Sequence, residues 1–485
     1  MEYSSMLGLA STLIALAFGA YLFLKRVNKW YYCSGKTKFP LPPGDMGWPL
    51  FGNMKSFMQA FKSDDPDSFL FNLVERYGRT GIYKSHLFGR PTAIVCLPET
   101  CKEVLTDDEN FTVGYPSSEK LSGRKSLISV QGNEHKRLRK LTTAPINGHE
   151  ALSTYVELIE EVVMAKLDEW ASMNKHLELL NEFKGATFKI ITNIFFGPQG
   201  YDRFGSMRSL FTDLTEGLFT MGINIPGFAY HRALKAREKL VTIVDGAIED
   251  RRELNKKSDS KGKKSMLDFL LEVENEDGET MDNETIIDLL AGIMFAGHES
   301  TAFATMWVLL FLYDNPQVLQ KIKEEQEEIV KNRPSTQKGL TIKEIKQMPY
   351  TGKVIQELLR RVNLSFALFR ETKVDVHING YTIPKGWKVL AMARAVHMDP
   401  QIYSNPKEYD PSRWDNPNVK AGAYIPFGLG SRVCPGNDLA KFELYIFIHC
   451  FVLNYKLERT NPDCPKVHFP VPRPADNFLA KIIKL

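Results

Sequence analysis

The chain has 485 residues, 43% apolar and 25% charged, ordinary globular proportions in a chain long enough to enclose a large cofactor pocket. Lys and Arg number 62 against 58 Asp and Glu, a formal charge of +4, which argues against a nucleic-acid binder or a strongly acidic partner. The six cysteines, Cys33, Cys96, Cys101, Cys434, Cys450 and Cys464, show no CxxC pair and no His at zinc-finger spacing, which excludes a disulfide framework or structural zinc and fits a reducing compartment.

In chain order, an uncharged run from Met6 to Leu24 comes first, followed by Lys25, Arg26 and Lys29. At 1.5 Å per residue a helix there just crosses a hydrocarbon core of about 30 Å. No basic residue precedes it and no small-residue cleavage site follows, so residues 1–29 are predicted to be an uncleaved anchor with the catalytic bulk on the cytosolic side. Pro40-Leu41-Pro42-Pro43-Gly44 favours stiff, extended backbone, and residues 30–45 read as a hinge. Residues 46–485 read as one catalytic domain, since no linker divides them. Strand signals lie at Gly81 to Cys96 and at Val374 to Leu390, where Asn379-Gly380 makes a hairpin turn. Apolar spacings of three and four predict helices over Leu152 to Trp170, Ile286 to Tyr313, Val318 to Val330 and Ile355 to Arg361, and an amphipathic helix over Asn437 to Leu453. The lysine and serine cluster from Asn255 to Ser265 reads as an exposed loop. The fold class is mainly α with a small β subdomain.

Three motifs carry chemistry. In Phe427-Gly428-Leu429-Gly430-Ser431-Arg432-Val433-Cys434-Pro435-Gly436 a cysteine sits in a glycine-rich loop before a helix. Backbone N–H groups there can stabilise a thiolate without a competing side-chain proton, and Gly430 and Gly436 let the backbone approach the sulfur. Ala296-Gly297-His298-Glu299-Ser300-Thr301 places an acid beside hydroxyls inside an apolar helix. Glu357-Leu358-Leu359-Arg360 puts opposite charges three residues apart on one helix face, which alone is an unspecific signal.

The cysteine run resembles the cytochrome P-450 signature FxxGxRxCxG at every defining position. The resemblance implies a P-450 fold preceded by one transmembrane helix, a heme b with Cys434 as the iron's axial ligand, and Phe427 packed beside the ring. It also implies propionate contacts from Arg432, Arg139 and Arg370. The 296–301 stretch is similar to (A/G)Gx(D/E)T(T/S), which makes Glu299 the acid and Ser300 the hydroxyl of a proton relay, with Thr301 sharing the task and Gly297 opening the helix for oxygen and water. Ser300 stands where Thr is commoner. Pro411-Ser412-Arg413-Trp414 looks like the PxRF/W element, whose Arg413 completes a structural triad with Glu357 and Arg360. Where the family carries Trp, this chain has His135, either a second propionate donor or a partly exposed surface histidine. His298 is expected to be structural. With no flavin or dinucleotide fingerprint of its own, the chain is expected to take electrons from NADPH through a cytochrome P-450 reductase, at the endoplasmic reticulum membrane.

Pro42-Pro43-Gly44-Asp45-Met46-Gly47-Trp48-Pro49, Asp65-Pro66-Asp67-Ser68-Phe69, Asn147 to Ser153, Ile225-Pro226-Gly227-Phe228 and Pro435 to Ala440 resemble the plant group of ent-kaurenoic acid oxidases and triterpenoid oxidases such as those acting on β-amyrin. A rigid polycyclic terpenoid is the implied substrate. The walls Met294 to Phe303 and Leu364 to Phe369 offer no obvious cation for a diterpene carboxylate, which tilts the reading to a neutral triterpenoid of the amyrin, cucurbitane or tirucallane/limonoid type. Ent-kaurenoic acid oxidation is the alternative. Rivals of another class are a heme-thiolate isomerase or dehydratase, against which Glu299-Ser300 argues, and a non-catalytic heme protein that binds a terpenoid.

Overall fold

The computed structural model describes every residue except 1, 36, 64, 116–117, 199, 219, 221, 258–264, 275–279, 416–418 and 470; the side chains of 2–11, 13, 25, 118–119 and 257 are also outside the description. Most of the lysine and serine cluster lies outside the described residues. The chain divides into two compact units: Met1–Gly114 with Ala367–Val396, and Tyr115–Phe366 with His397–Leu485.

The first unit holds the sheet subdomain. Strands Ile82–Leu87, Arg90–Val95, Lys388–Ala391, Leu368–Thr372 and Phe111–Val113 form one five-stranded sheet in that order. Only the Arg90–Val95 and Lys388–Ala391 pair is parallel, and Pro91 to Val95 is buried without alternation, as a strand covered on both faces must be. Asn379 and Gly380 both take positive φ, 49° and 83°, the two-residue turn expected between Val376–Ile378 and Tyr381–Ile383.

The proline-rich segment is not a free spacer. Lys84 donates its backbone N–H to Pro43 O (2.8 Å) and its Nζ to Pro42 O (2.6 Å), and Thr382 donates to Pro40 O (2.9 Å), so these carbonyls are seated on strands. Before it, Glu2–Cys33 is one helix. It exposes Ile14, Leu16, Phe18 and Phe23, each over 60% accessible. Among the described residues no helix is long and apolar enough to cross a membrane.

The second unit is helical around a central helix, Asn283–Asp314. Asp282 caps its N-terminus by accepting from the Thr285 N–H (3.0 Å). Helices Gly132–Asn147, His149–Ser172, Leu179–Phe196, Arg208–Leu218, Ala229–Lys257, Pro316–Lys331 and Pro349–Val362 accompany it, and one hydrophobic core draws on all of them. The helix after the cysteine, Asn437–Asn454, was expected to be amphipathic; instead Leu439, Glu443, Leu444 and the run Ile446 to Val452 are all buried, which covers every face of its second half. A small sheet of Leu177–Glu178, Leu479–Lys484 and Tyr455–Arg459 escaped the sequence reading: it pairs segments far apart in the chain, and its first strand has only two residues.

Candidate functional site

The cysteine loop is held by backbone and side chains from distant parts of its unit. Cys434 N–H donates to Phe427 O (2.9 Å), closing the loop, and Gly430 supplies the left-handed turn at φ 72°. At Gly436 the backbone approaches the sulfur as expected, its N–H bonding Cys434, but a Cβ built there meets nothing within 4 Å and its φ is −101°, so no protein contact demands glycine at that position. Asn147 fastens the loop's exit, donating to Pro435 O and, at 3.2 Å, to Asn437 Oδ1, while its own Oδ1 accepts from the Leu439 N–H (3.2 Å). Arg432 donates two N–H groups to Leu127 O and Val130 O (2.7 Å each), which ties residues 127–130 to the loop.

Burial pushes the Cys434 thiol up, whereas the Gly436 N–H, Arg139 and Lys441 act to lower it. Lys441 also lies 5.3 Å over the Phe427 ring. A thiol with one backbone donor and nearby cations suits a sulfur that carries negative charge only when a metal shares it. Arg139 and Arg432 are guanidinium groups of the kind two ring carboxylates require. These residues fit a heme. Arg370 belongs to the other unit, where it is buried on Leu368–Thr372 and donates to Phe369 O (3.1 Å); the site built from the second unit does not include it. His135 is buried at 3% exposure, which overturns its reading as a surface histidine.

Around the middle of the central helix Gly292, Ile293, Phe295, Ala296, Gly297 and Ser300 are half-buried or exposed, and four of them, Ile293, Ala296, Gly297 and Ser300, fall in one row. Their i, i+3, i+4, i+7 spacing is one face, and that face lines open space. Ser300 Oγ donates to Ala296 O (2.8 Å) and Thr301 Oγ1 to Gly297 O (3.3 Å), the usual bond of a helical hydroxyl to the preceding turn. Glu299 points elsewhere, because neighbours on a helix diverge by about 100°. Its carboxylate accepts from Lys184 Nζ (2.7 Å) and Thr215 Oγ1 (3.2 Å), on helices Leu179–Phe196 and Arg208–Leu218. Acid and hydroxyls are therefore adjacent in sequence but not bonded to each other. Gly297 does not open the helix, which runs unbroken; a Cβ there would lie 2.5 Å from Ile191 Cδ1, so glycine lets the two helices pack. His298 is structural as expected, buried, with Nδ1 2.9 Å from Met294 O and its ring against Phe188 and Phe211.

The triad is assembled. Arg360 binds Glu357 bidentately, at 2.7 and 2.9 Å, with both side chains fully buried; Arg413 Nε adds a 3.5 Å contact and Trp414 Nε1 a 3.1 Å one. Arg360 also donates to His397 O (2.7 Å) and Pro406 O (2.9 Å). His397 Nε2 accepts from the Ile425 N–H (2.9 Å), so its Nδ1 carries the proton shared with Asn363 Oδ1 (2.6 Å). A chain of hydrogen bonds thus runs from Glu357 to the strand of loop entering the cysteine motif.

Sequence reading missed Lys184, Thr215, Asn147 and His397, whose partners lie 28 to 292 positions away. It also missed Glu443, buried on the cysteine helix, with Oε2 lacking a hydrogen-bond partner among the described residues. Burial pushes that carboxyl up to about 8.

A family sequence model described as Cytochrome P450 matches residues 42–481. Among curated proteins, 7,8-epoxymelianol synthase of Ailanthus altissima is 55% identical over 480 residues, 98% of this chain and 97% of that one. Ent-kaurenoic acid oxidase 2 of Arabidopsis thaliana is 52% identical over 464 residues, covering 95% and 94%. Beta-amyrin 11-oxidase of Glycyrrhiza uralensis is 51% identical over 481 residues, covering 98% and 97%. Among solved structures, retinoic acid-bound cyanobacterial CYP120A1 superposes with a TM-score of 0.82 at 26% identity, over 93% of this chain and all of that one.

Proposed function

The chain belongs to the cytochrome P450 family and is a heme-thiolate monooxygenase fed by a redox partner, and from that premise we propose that Cys434 is the iron's axial ligand and that the substrate is a neutral triterpenoid. Bound heme supplies the activation of dioxygen and the insertion of one of its atoms. The protein's part is to place and protonate. The Gly436 N–H, Arg139 and Lys441 stabilise negative charge at the Cys434 sulfur. Arg139 and Arg432 would hold the heme propionates. Ser300 holds a proton on the accessible face of the central helix, and releases it by turning its hydroxyl away from Ala296 O. Glu299, hydrogen-bonded by Lys184 and Thr215, is the carboxyl group behind it; it reaches the hydroxyl through water or a rotamer change and returns the proton that Ser300 passes on, with Thr301 as the second hydroxyl.

The observation that carries the substrate class is the accessible face itself: Ile293, Ala296, Gly297 and Ser300 include no charged side chain. Lys184, a cation beside this turn, is paired with Glu299. A ligand carboxylate would find no partner there, whereas a neutral polycycle loses nothing on burial. The 55% identity to 7,8-epoxymelianol synthase supports this reading. The 52% identity to an ent-kaurenoic acid oxidase favours the second reading, oxidation of that diterpene acid. We place the enzyme at the endoplasmic reticulum membrane, served by a membrane-bound NADPH-cytochrome P450 reductase; exposed apolar side chains from Ile14 to Leu24 support attachment by the first helix.

Yeast microsomes containing the protein and a plant reductase, offered amyrin, cucurbitane and tirucallane triterpenes beside ent-kaurenoic acid, separate the readings. Oxidation of a triterpene alone is expected. Conversion of ent-kaurenoic acid in preference to every triterpene would replace the first reading by the second.

A further inference from the structure

Residues 123–130 form a strap held from two sides within the second unit. On one side Arg432, two residues before Cys434, donates to Leu127 O and Val130 O (2.7 Å each). On the other side the strap rests on the central helix at Asp288, about one and a half turns before Ile293 of the accessible face. The Lys125 N–H donates to Asp288 Oδ2 (2.9 Å), and Gly123 lies so close that a Cβ there would stand 2.1 Å from the carboxylate. Gly123 takes φ 93°, so any other residue would be strained as well as obstructed. Ser126 abuts Gly292, one turn before Ala296: a Cβ on that glycine would lie 3.7 Å from Ser126 Cβ. The strap therefore links Arg432 of the cysteine loop to residues 288–292 of the central helix.

Asp288 itself is 3% exposed and paired with Arg237 of helix Ala229–Lys257, which is 8% exposed. Burial pushes the Asp288 carboxyl up and the Arg237 guanidinium down, and each charge opposes the shift of the other. Lys125 Nζ adds exposed ion pairs to Asp282 (2.9 Å) and Glu284 (3.2 Å), which contribute little by comparison. A buried ion pair beside a helix needs its remaining lone pairs filled, and here the strap's backbone fills them. A fold needing only helix-to-helix cohesion would gain as much from apolar residues at 237 and 288.

We propose that Asp288, oriented by Arg237, is a positioning residue that clamps the 123–130 strap beside the central helix and so limits the size of ligand admitted to the accessible face of that helix. The strap's other clamp is Arg432, which makes its position depend on both the cysteine loop and the central helix. This inference rests on Cys434 lying at the heme, as proposed above.

The test uses the heme-loaded full chain and two variants, Asp288→Asn and Gly123→Ala. The second obstructs the clamp without leaving a buried charge unpaired, so it reports even if the first fails to fold. Two quantities are measured: amide hydrogen exchange of residues 123–130, and the association rates of 4-phenylimidazole and of carbon monoxide. Both variants are expected to exchange the strap about tenfold faster or more, the size of one lost charge-assisted hydrogen bond. They are also expected to bind the bulky azole several-fold faster while the carbon monoxide rate stays the same. Unchanged exchange, or faster exchange with an unchanged azole rate, would overturn the proposal. A wild-type protein without a thiolate-type carbon monoxide spectrum would instead overturn the Cys434 assignment, and the exchange data would still decide whether Asp288 clamps the strap.

Discussion

Glu357 and Glu443 are glutamates buried in the same compact unit, and their surroundings are opposite. Glu357 is gripped by Arg360 through both oxygens and touched by Arg413 and the Trp414 indole. Glu443 borders a cavity walled by Val163, Phe183, Ile190 and Phe447, with Thr187 and Thr305 as its polar members, and one carboxyl oxygen has no partner among the described residues. Burial alone therefore does not decide what an acid does to a fold. A fully bonded carboxylate locks segments together, while a lone one is held protonated and charges the fold for losing its proton.

Removing the satisfied acid gives the largest effect. Glu357→Gln strands the buried Arg360, at a cost of about 3–5 kcal/mol. Urea unfolding is expected to show that loss together with poor heme retention, because the same network reaches Ile425 through His397. A variant as stable as the parent would break the contrast at its stronger end.

Glu299, held by one lysine and one hydroxyl, stands between the two extremes. The hydroxyls beside it sharpen the comparison because they differ in exposure: Ser300 is accessible and Thr301 is buried. Ser300→Ala is expected to lower product formed per NADPH by about tenfold or more, with the electrons recovered as hydrogen peroxide. Thr301→Ala alone should change coupling less. Equal coupling in the double variant and the parent would remove both from proton delivery.

Glu443→Gln acts with the opposite sign. The folded carboxyl titrates near 8 and the unfolded one near about 4.3. Between those values the unfolded chain releases a proton that the folded chain keeps, so parent stability falls as pH rises through the window and levels off above it. Glutamine carries no such proton. The variant's melting temperature relative to the parent is therefore expected to climb from about pH 5 to about pH 8. A difference that is flat with pH would mean that Glu443 is ionised and solvated in the fold.

What was legible in the sequence is what spacing encodes. The cysteine loop lies within ten consecutive positions, the Glu357–Arg360 pair is one helical turn, and Asn379-Gly380 spells its own hairpin. Contacts made by tertiary packing were not legible. Lys184 meets Glu299 across 115 positions and Asn147 meets Leu439 across 292, and no local pattern marks either. Gly297 misled for a related reason: its lack of a side chain suggested an opening in the helix, whereas the helix runs unbroken and the tip of Ile191 from a neighbouring helix lies against it. The sequence left His135 as either a propionate donor or a surface histidine, and its burial removes the second. The adjacency of Glu299 and Ser300 suggested one relay face, and helical geometry sends them to different sides.

The most direct measurement on the central claim is the carbon monoxide difference spectrum of reduced microsomes carrying the parent chain or Cys434→Ala. The parent is expected to give the thiolate-type band and the variant none, at matched protein levels by immunoblot. A thiolate-type band that survives in Cys434→Ala would show that another group ligates the iron, and the site built around the Phe427 to Gly436 loop would be wrong.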